Sequence, residues 1–294
     1  MYPKNYFDLF PAFPRENSVF VAMSFAPQFQ SRYDNVIKPA IESVDHEGSR
    51  LEPIRVDAKK ISDSVLTEIL TGIGNSKLIF ADITSLIEIN NRPYRNENVM
   101  YEIGIATAMR LPEEVILFRS DQEQLSFDIA NIRVNSYAPD ENIADATESV
   151  TAAIREAISE TDLKKNLAVK NAISQLDEVS LRVMRLAQKE GFALSAIDSK
   201  DKKIPFHSYC LSINKLLELG ALTTEFIDLS EGDNVQKPAL IHKLTSFGHE
   251  LVLGIVIQSN ITDPMVVKKL SDLGHDMTSV VACSPFSDPY VMRV

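Results

Sequence analysis

The residue that most invites chemistry is a glutamate set on a stripe of apolar side chains. Residues 96–109, NENVMYEIGIATAM, read as a helix capped by Asn96 or Asn98. At helical spacing Glu102 shares a face with Val99, Ile105, Ala106 and Met109. Two readings of Glu102 stand side by side. In one it is a first-turn acid that complements the helix dipole and turns to solvent. In the other its carboxylate is aimed into a pocket at a sheet edge, where a perturbed acid acts on a substrate.

Just upstream, residues 77–84, KLIFADIT, form a short apolar β-rich run ending in Asp82 and Thr84. Such a run reads as a buried parallel strand, and ligands of open parallel sheets bind beyond the carboxyl ends of the strands. Other strand ends feed the same edge. Met23, Ser24 and Phe25 follow the apolar start of the run 18–25, and Arg55 and Asp57 close the run 51–57. Arg55 and Asp57 read either as a surface ion pair or as groups that hold ribose or phosphate. Asp82 reads either as the cap of an Asx turn or as a substrate ligand. Neither G-x-G-x-x-G nor a Walker motif is present, which argues against a tightly held dinucleotide cofactor and against a P-loop NTPase.

The elements that must position these groups alternate. Strands are expected at 18–25, 51–57, 77–84, 114–118 and 132–137, and helices at 31–47, 61–73, 98–110 and 144–159. Strands alternating with helices mean βαβ units and a parallel sheet covered on both faces. The expected fold class is therefore α/β, a flavodoxin-like doubly wound sheet of five parallel strands. Residues 1–17, rich in proline and aromatic side chains, have no period and read as an arm.

Beyond residue 160 the pattern changes to helix, helix, hairpin, helix. Residues 160–176 read as polar helix or linker, and Asp177 caps a helix that closes at Gly191. A second helix begins near Pro205 and stops at Gly220, two β-like runs follow at 221–229 and 238–246, and a last helix starts near Ser246. The order resembles a winged helix-turn-helix domain, most in LLELGALTTE and HKLTSFGHELV. The expected division is an α/β domain over 1–160 and a smaller α+β winged-helix domain over 161–294. The candidate reading helix offers only His207, Ser208, Tyr209, Ser212, Asn214 and Lys215 to a nucleic acid. DNA binding therefore stands beside protein docking or self-association as the task of this half.

Composition bounds the rest. The chain of 294 residues carries a formal charge of −11, nearly all of it in residues 1–164, which argues against a polyanion-binding surface there. Cys210 and Cys283 lie far apart without metal-like spacing, and His207, His242, His249 and His275 have no ligand companions, so no metal site is expected. No run of eighteen apolar residues and no leader-like start are seen, and a cytoplasmic protein without a membrane contact is expected.

FADIT, followed by NENVMYEIGIATAM and VILF, resembles the nucleoside 2-deoxyribosyltransferase-like family, within a wider group that includes TIR-like NAD-cleaving domains. The likeness covers roughly residues 18–120 and is carried most specifically by Asn98, Val99, Tyr101, Glu102 and Gly104. The segment SLIEINNRPYRNE departs from the family by lengthening the loop between Asp82 and Asn98. The resemblance implies an N-glycosidase or glycosyl transferase acting on a nucleoside, nucleotide or NAD-like substrate, with Glu102 as nucleophile, kept ionised by the helix dipole. Asp82 would bind sugar hydroxyls or the base, and Met23, Ser24, Phe25, Arg55, Asp57, Thr84, Asn98 and Tyr101 would complete the substrate site. A hydrolase uses water as acceptor and a transferase a second base. The alternative is a nucleotide sensor that binds without cleaving and signals through the winged helix to DNA or a protein. The joining of two such domains also resembles bacterial antiphage effectors, some held silent by a partner such as a retron's reverse transcriptase and RNA. An oligomer, at least a homodimer, is expected, with the arm or the winged helix in its interface.

Overall fold

The computed structural model describes residues 10–11, 15–56, 65–89, 92–123, 133–188, 191–194, 204–227 and 239–258. The chain divides into two compact units, residues 1–164 and 165–294. In the first, β1 (Glu16–Ala22) leads into α1 (Pro27–Arg32), a π-helical turn (Tyr33–Ile37) and α2 (Lys38–Glu42). A hairpin of β2 (Asp45–His46) and β3 (Ser49–Arg50) precedes β4 (Glu52–Ile54), and α3 (Val65–Asn75) runs into β5 (Ser76–Asp82). A second hairpin, β6 (Ile87–Ile89) and β7 (Arg92–Tyr94), is followed by α4 (Glu97–Met109), β8 (Val115–Arg119), β9 (Val134–Ser136) and α5 (Ile143–Ile173).

The main sheet has the order β4-β1-β5-β8-β9 with every pair parallel, the flavodoxin-like arrangement. Alternation along the strands makes it doubly wound. Val19, Val21, Phe80 and Phe118 face Phe29, Ile37 and Ile41 on one side and Val150 and Ile154 of α5. Phe20, Ala22, Ile79, Ala81 and Leu117 face the other layer, Ile73 of α3 with Val99, Ile103 and Ala106 of α4. The strand order reverses between β1 and β5, so the crevice beyond Ala22 and Asp82 is where this topology places a ligand.

Several boundaries differ from the sequence expectation. The first helix starts at Pro27 rather than residue 31 and ends at Glu42, because residues 45–50 turn back as a hairpin with positive φ at Glu47 (50°) and Gly48 (80°). Pro39 lacks the N–H that a continuous α-helix needs, and the π turn lies one turn upstream of it. β4 is limited to three residues, and Asp57 and the start of the 61–73 helix lie outside the described residues. The expected arm loses its last two residues to β1, while residues 1–9 and 12–14 are likewise outside the described set. The inserted loop is a β-hairpin whose base is fastened by Arg95, buried and bidentate to Asp121 at 3.1 Å on both arms. The last helix of the unit runs on to Ile173, since residues 143–173 contain neither glycine nor proline to stop it.

At the amino-terminal end of the sheet a buried cation clasps three segments. Arg110 is fully buried and donates to the carbonyls of Ile73 (2.7 Å), Ser76 (2.6 Å) and Lys77 (2.7 Å) and to Glu114 Oε2 (3.0 Å). Glu114, also buried, accepts in addition from the Leu111 amide and from Arg15. Burial pushes the Arg110 pKa down to about 8, with the Arg15 charge adding to the push, and that direction expresses what burying this cation costs.

The second unit holds α6 (Glu178–Ala187), β10 (Phe192–Ala193), α7 (Phe206–Glu218), β11 (Leu222–Ile227), β12 (Ala239–Leu244) and α8 (Ser246–Gln258). Its antiparallel sheet has the order β10-β12-β11. A helix, a short strand, a second helix and a two-stranded wing make this a smaller α+β, winged-helix-like module. Asp177 caps α6 by accepting from the Ser180 amide at 2.7 Å. Gly191 has φ +86° and a Cβ there would lie 2.7 Å from the His242 carbonyl oxygen, so only glycine fits where the chain enters β10. Met184, Ile213, Leu216, Leu222, Leu244 and Leu251 form the core. Residues 259–294, including His275 and Cys283, lie outside the described residues.

Candidate functional site

The carboxyl end of β1 is tied to the start of α4. Ser24, buried just beyond the strand, accepts at Oγ from the Ala26 amide (3.2 Å) and from Asn96 Nδ2 (3.4 Å). Asn96 is the N-cap of α4, and its Oδ1 accepts from the amides of Asn98 and Val99 at 3.0 and 3.2 Å. Arg55, beyond β4, reaches the Ser24 carbonyl (3.0 Å) and Gln30 Oε1 (3.1 Å). Its guanidinium lies 3.9 Å above the half-exposed Phe25 ring and 4.8 Å from the Tyr33 ring, a cation–π stack on two aromatic faces. The strand-end residues expected at this edge therefore do meet: Ser24, Phe25, Arg55 and the Asn96–Asn98 cap form one chain of contacts. Met23 is buried in the core, and the side chains of Asn98 and Tyr101 are exposed on α4. Asp57 lies outside the described residues.

Asp82 occupies the end of β5 and is enclosed. Its Oδ1 accepts from the Thr84 amide (2.9 Å) and the Thr84 hydroxyl, and its Oδ2 from the Tyr137 hydroxyl (2.7 Å). Arg32 lies 3.7 Å from Oδ2. Tyr137 is held edge-on to Phe118, itself stacked on Phe80, so the core fixes the direction of its hydroxyl. Burial, then the Asp82 charge and hydrogen bond, push the Tyr137 pKa far up, so this hydroxyl stays a donor. Arg32 continues the network, donating to Ser120 Oγ (2.9 Å) and, through Nε (3.2 Å) and a terminal nitrogen (2.5 Å), to both oxygens of Asp140. Burial opposes the Arg32 charge, but the Asp140 and Asp82 carboxylates outweigh it and the pKa is raised. Tyr137→Phe removes one donor from a buried carboxylate and is expected to cost about 1–3 kcal/mol in a urea titration. A loss within error would show that Arg32 and Thr84 alone satisfy Asp82.

Glu102 lies in the second turn of α4, five residues beyond Glu97, its first residue. It is half-buried beside Val99, Ile103 and Ala106, and burial pushes its pKa up to about 7. The expectation that the dipole keeps it ionised is corrected by this geometry. The dipole effect fades within the first turn, where Glu97 sits, and desolvation decides the outcome one turn later. Unlike Asp82, Glu102 has no hydrogen-bonding or charged partner among the described residues to hold its anion.

Arg32, Ser120, Tyr137 and Asp140 were not singled out from the sequence, since each comes from a different element and nothing in its neighbours marks it. The one available signal was Arg32, a lone cation soon after the first strand end. Among the described residues no group of three or more His, Cys, Asp or Glu could hold a metal ion, and no helix is long and apolar enough to cross a membrane. In the second unit, α7 exposes Phe206 and Leu211, and its lysine, Lys215, is bound to Asp177 at 3.1 Å. His242 is buried against Phe192 (ring centroids 5.3 Å apart), and burial lowers its pKa.

No family model matches the chain, and no curated protein does. Among solved structures, the metal-soaked flavodiiron core of Flv1 from Synechocystis is similar over 49% of this chain and 36% of that one, at 13% identity and a TM-score of 0.34. The chain thus spans about a third of that protein.

Proposed function

We propose that the protein cleaves or transfers an N-glycosidic bond of a nucleoside, nucleotide or NAD-like substrate, with Glu102 as nucleophile. The observation that carries this reading is the half-buried Glu102 carboxyl, unpaired among the described residues, on the helix whose N-cap Asn96 meets Ser24 at the carboxyl end of β1, with burial raising its pKa to about 7. Once ionised, a poorly solvated carboxylate is well suited to an oxocarbenium-like transition state. Its oxygen bonds to C1′ as the C1′–N bond breaks and the bond pair leaves with the base, which takes a proton from solvent if it is a purine or pyrimidine and leaves already neutral if it is a pyridinium as in NAD. Attack on the ester by water, or by the nitrogen of a second base, then restores Glu102. Asp82 is enclosed in its own network, so its part is to hold Arg32 and Thr84 in place. The reading is tested by incubating the protein with NAD, nucleotides and deoxynucleosides, with and without an acceptor base, and identifying the products.

A nucleophile with this pKa implies a pH profile. kcat/KM should rise about tenfold per pH unit below 7 and level off above it, as the carboxyl ionises. A flat profile between pH 5.5 and 8 removes Glu102 from the chemistry.

The second unit is assigned to protein docking or self-association rather than DNA reading, because α7 offers Phe206 and Leu211 and no unpaired lysine. That assignment suits an effector held by a partner, such as an antiphage protein, and it suits a homodimer. Sedimentation at micromolar concentration should give at least a dimer, and a monomer refutes it.

A further inference from the structure

Arg32 stands between two carboxylates, one buried and one exposed. Asp82, whose side chain is wholly buried, already lies behind the guanidinium, and Ser120 accepts from one of its nitrogens. Asp140 then places a second carboxylate on the outer face of the same cation, in a bidentate grip. The Asp140 side chain is 57% exposed, and it sits in the turn between β9 and α5, where the Ala138 carbonyl accepts from the Glu141 and Asn142 amides. One cation thus stands between two anions in a unit whose charge is already strongly negative. The outer pair joins an Arg32 side chain that is 11% exposed to a carboxylate that water reaches. A planar fork presented to an exposed carboxylate is the geometry that also binds phosphate.

We propose that Arg32 is the anion-binding residue of this site and that the Asp140 carboxylate stands in for a phosphate of the substrate, to be displaced when that phosphate arrives. The substrate class is then a phosphorylated nucleoside, a nucleotide or a dinucleotide, rather than a free nucleoside. The inference rests on this edge being the substrate site, but not on the chemistry assigned to Glu102. Asp140 acts as a built-in competitor: an arriving phosphate must push aside a like charge, and polyanions without a nucleoside are held off the guanidinium. The buried Asp82, with Thr84 and Tyr137 behind it, keeps Arg32 extended toward the edge while Asp140 swings away.

The test is binding, measured by calorimetry at fixed ionic strength on the full chain carrying Glu102→Gln, so that turnover does not consume the probe. AMP should bind roughly tenfold or more tightly than adenosine, as expected for a charge-assisted bidentate contact. Asp140→Asn should strengthen AMP and inorganic phosphate binding at least roughly two- to fivefold, the lower end for a pair that water reaches on one side only, and leave adenosine unchanged. Arg32→Lys keeps the charge beside Asp82 but loses the fork, and should bring AMP close to adenosine. Equal binding of AMP and adenosine overturns the proposal, as does weaker or unchanged AMP binding in Asp140→Asn. Failure of both phosphate and AMP to bind at millimolar concentration in either protein overturns it as well. Absence of product from wild-type protein in the presence of tight AMP binding would instead count against the glycosidase reading alone.

Discussion

Glu102→Gln is expected to abolish glycosidic cleavage, with a loss in kcat of roughly three orders of magnitude or more, the scale at which removal of a covalent nucleophile is felt. The same substitution should make the protein more stable at neutral pH. The folded-state pKa is raised to about 7, so the native state favours the protonated carboxyl. Its contribution to stability is complete below the ordinary glutamate pKa and is lost as the pH rises through 7. The amide that replaces it cannot ionise. The variant should therefore match the wild type near pH 4.5 and exceed it at pH 8 by an amount on the order of 2 kcal/mol, after discounting for the part of the carboxyl that water reaches. In thermal melts that is roughly 4–8 °C at pH 8. Lost activity with a gain in stability that grows with pH is what a functional carboxylate held against its solvation preference produces. Equal activity in the two proteins removes the nucleophile, and equal melting at both pH values removes the perturbed pKa.

The second large effect lies at the opposite end of the sheet. Glu114→Ala leaves the Arg110 guanidinium buried without its carboxylate and takes away one partner of Arg15. Breaking a buried pair on one side costs about 3–5 kcal/mol, a large fraction of the roughly 5–15 kcal/mol by which a domain is stable. Arg110→Met should be no better tolerated, because the carbonyls of Ile73, Ser76 and Lys77 lose their donor together. Urea unfolding of each variant gives the measure. A loss below about 1 kcal/mol for Glu114→Ala would mean that water replaces the carboxylate and that the clasp is not dry.

The parallel sheet was legible because β1, β5 and β8 are apolar runs of strand length, which is what burial on both faces demands. The helix after Asn96 was equally plain, though its cap stood open between Asn96 and Asn98 until the structure placed it at Asn96. The two hairpins were not. Residues 45–50 are polar and make strands of two residues, and Pro93 in the insertion argues locally against a strand. Arg110 closes the helix expected at 98–110, and its complete burial is decided by the distant carbonyls of Ile73, Ser76 and Lys77 around it. The site divided in the same way. Strand-end residues follow from topology, so Ser24, Arg55, Asp82 and Thr84 could be named in advance. Tyr137 and Asp140 come from the segment that follows a short edge strand, and only the fold brings them to Asp82 and Arg32. For Glu102 the position was readable and the ionisation was not, because its pKa depends on how far its neighbours exclude water.

The place of β1 between β4 and β5 bears on synthesis. β1 is complete at Ala22, its neighbour β4 at Ile54 and its other neighbour β5 at Asp82. At roughly 5–20 residues per second, the ribosome needs roughly 3–12 s to add the chain that separates the two ends of this pairing. β4 is made about midway through that interval, but until its end the edge of VFVAM that β5 will cover stays open, with no charge or proline to blunt it. The nascent chain is thus most vulnerable to aggregation before the second half of its sheet exists. Its yield in a cell depends on what shields those residues in the meantime.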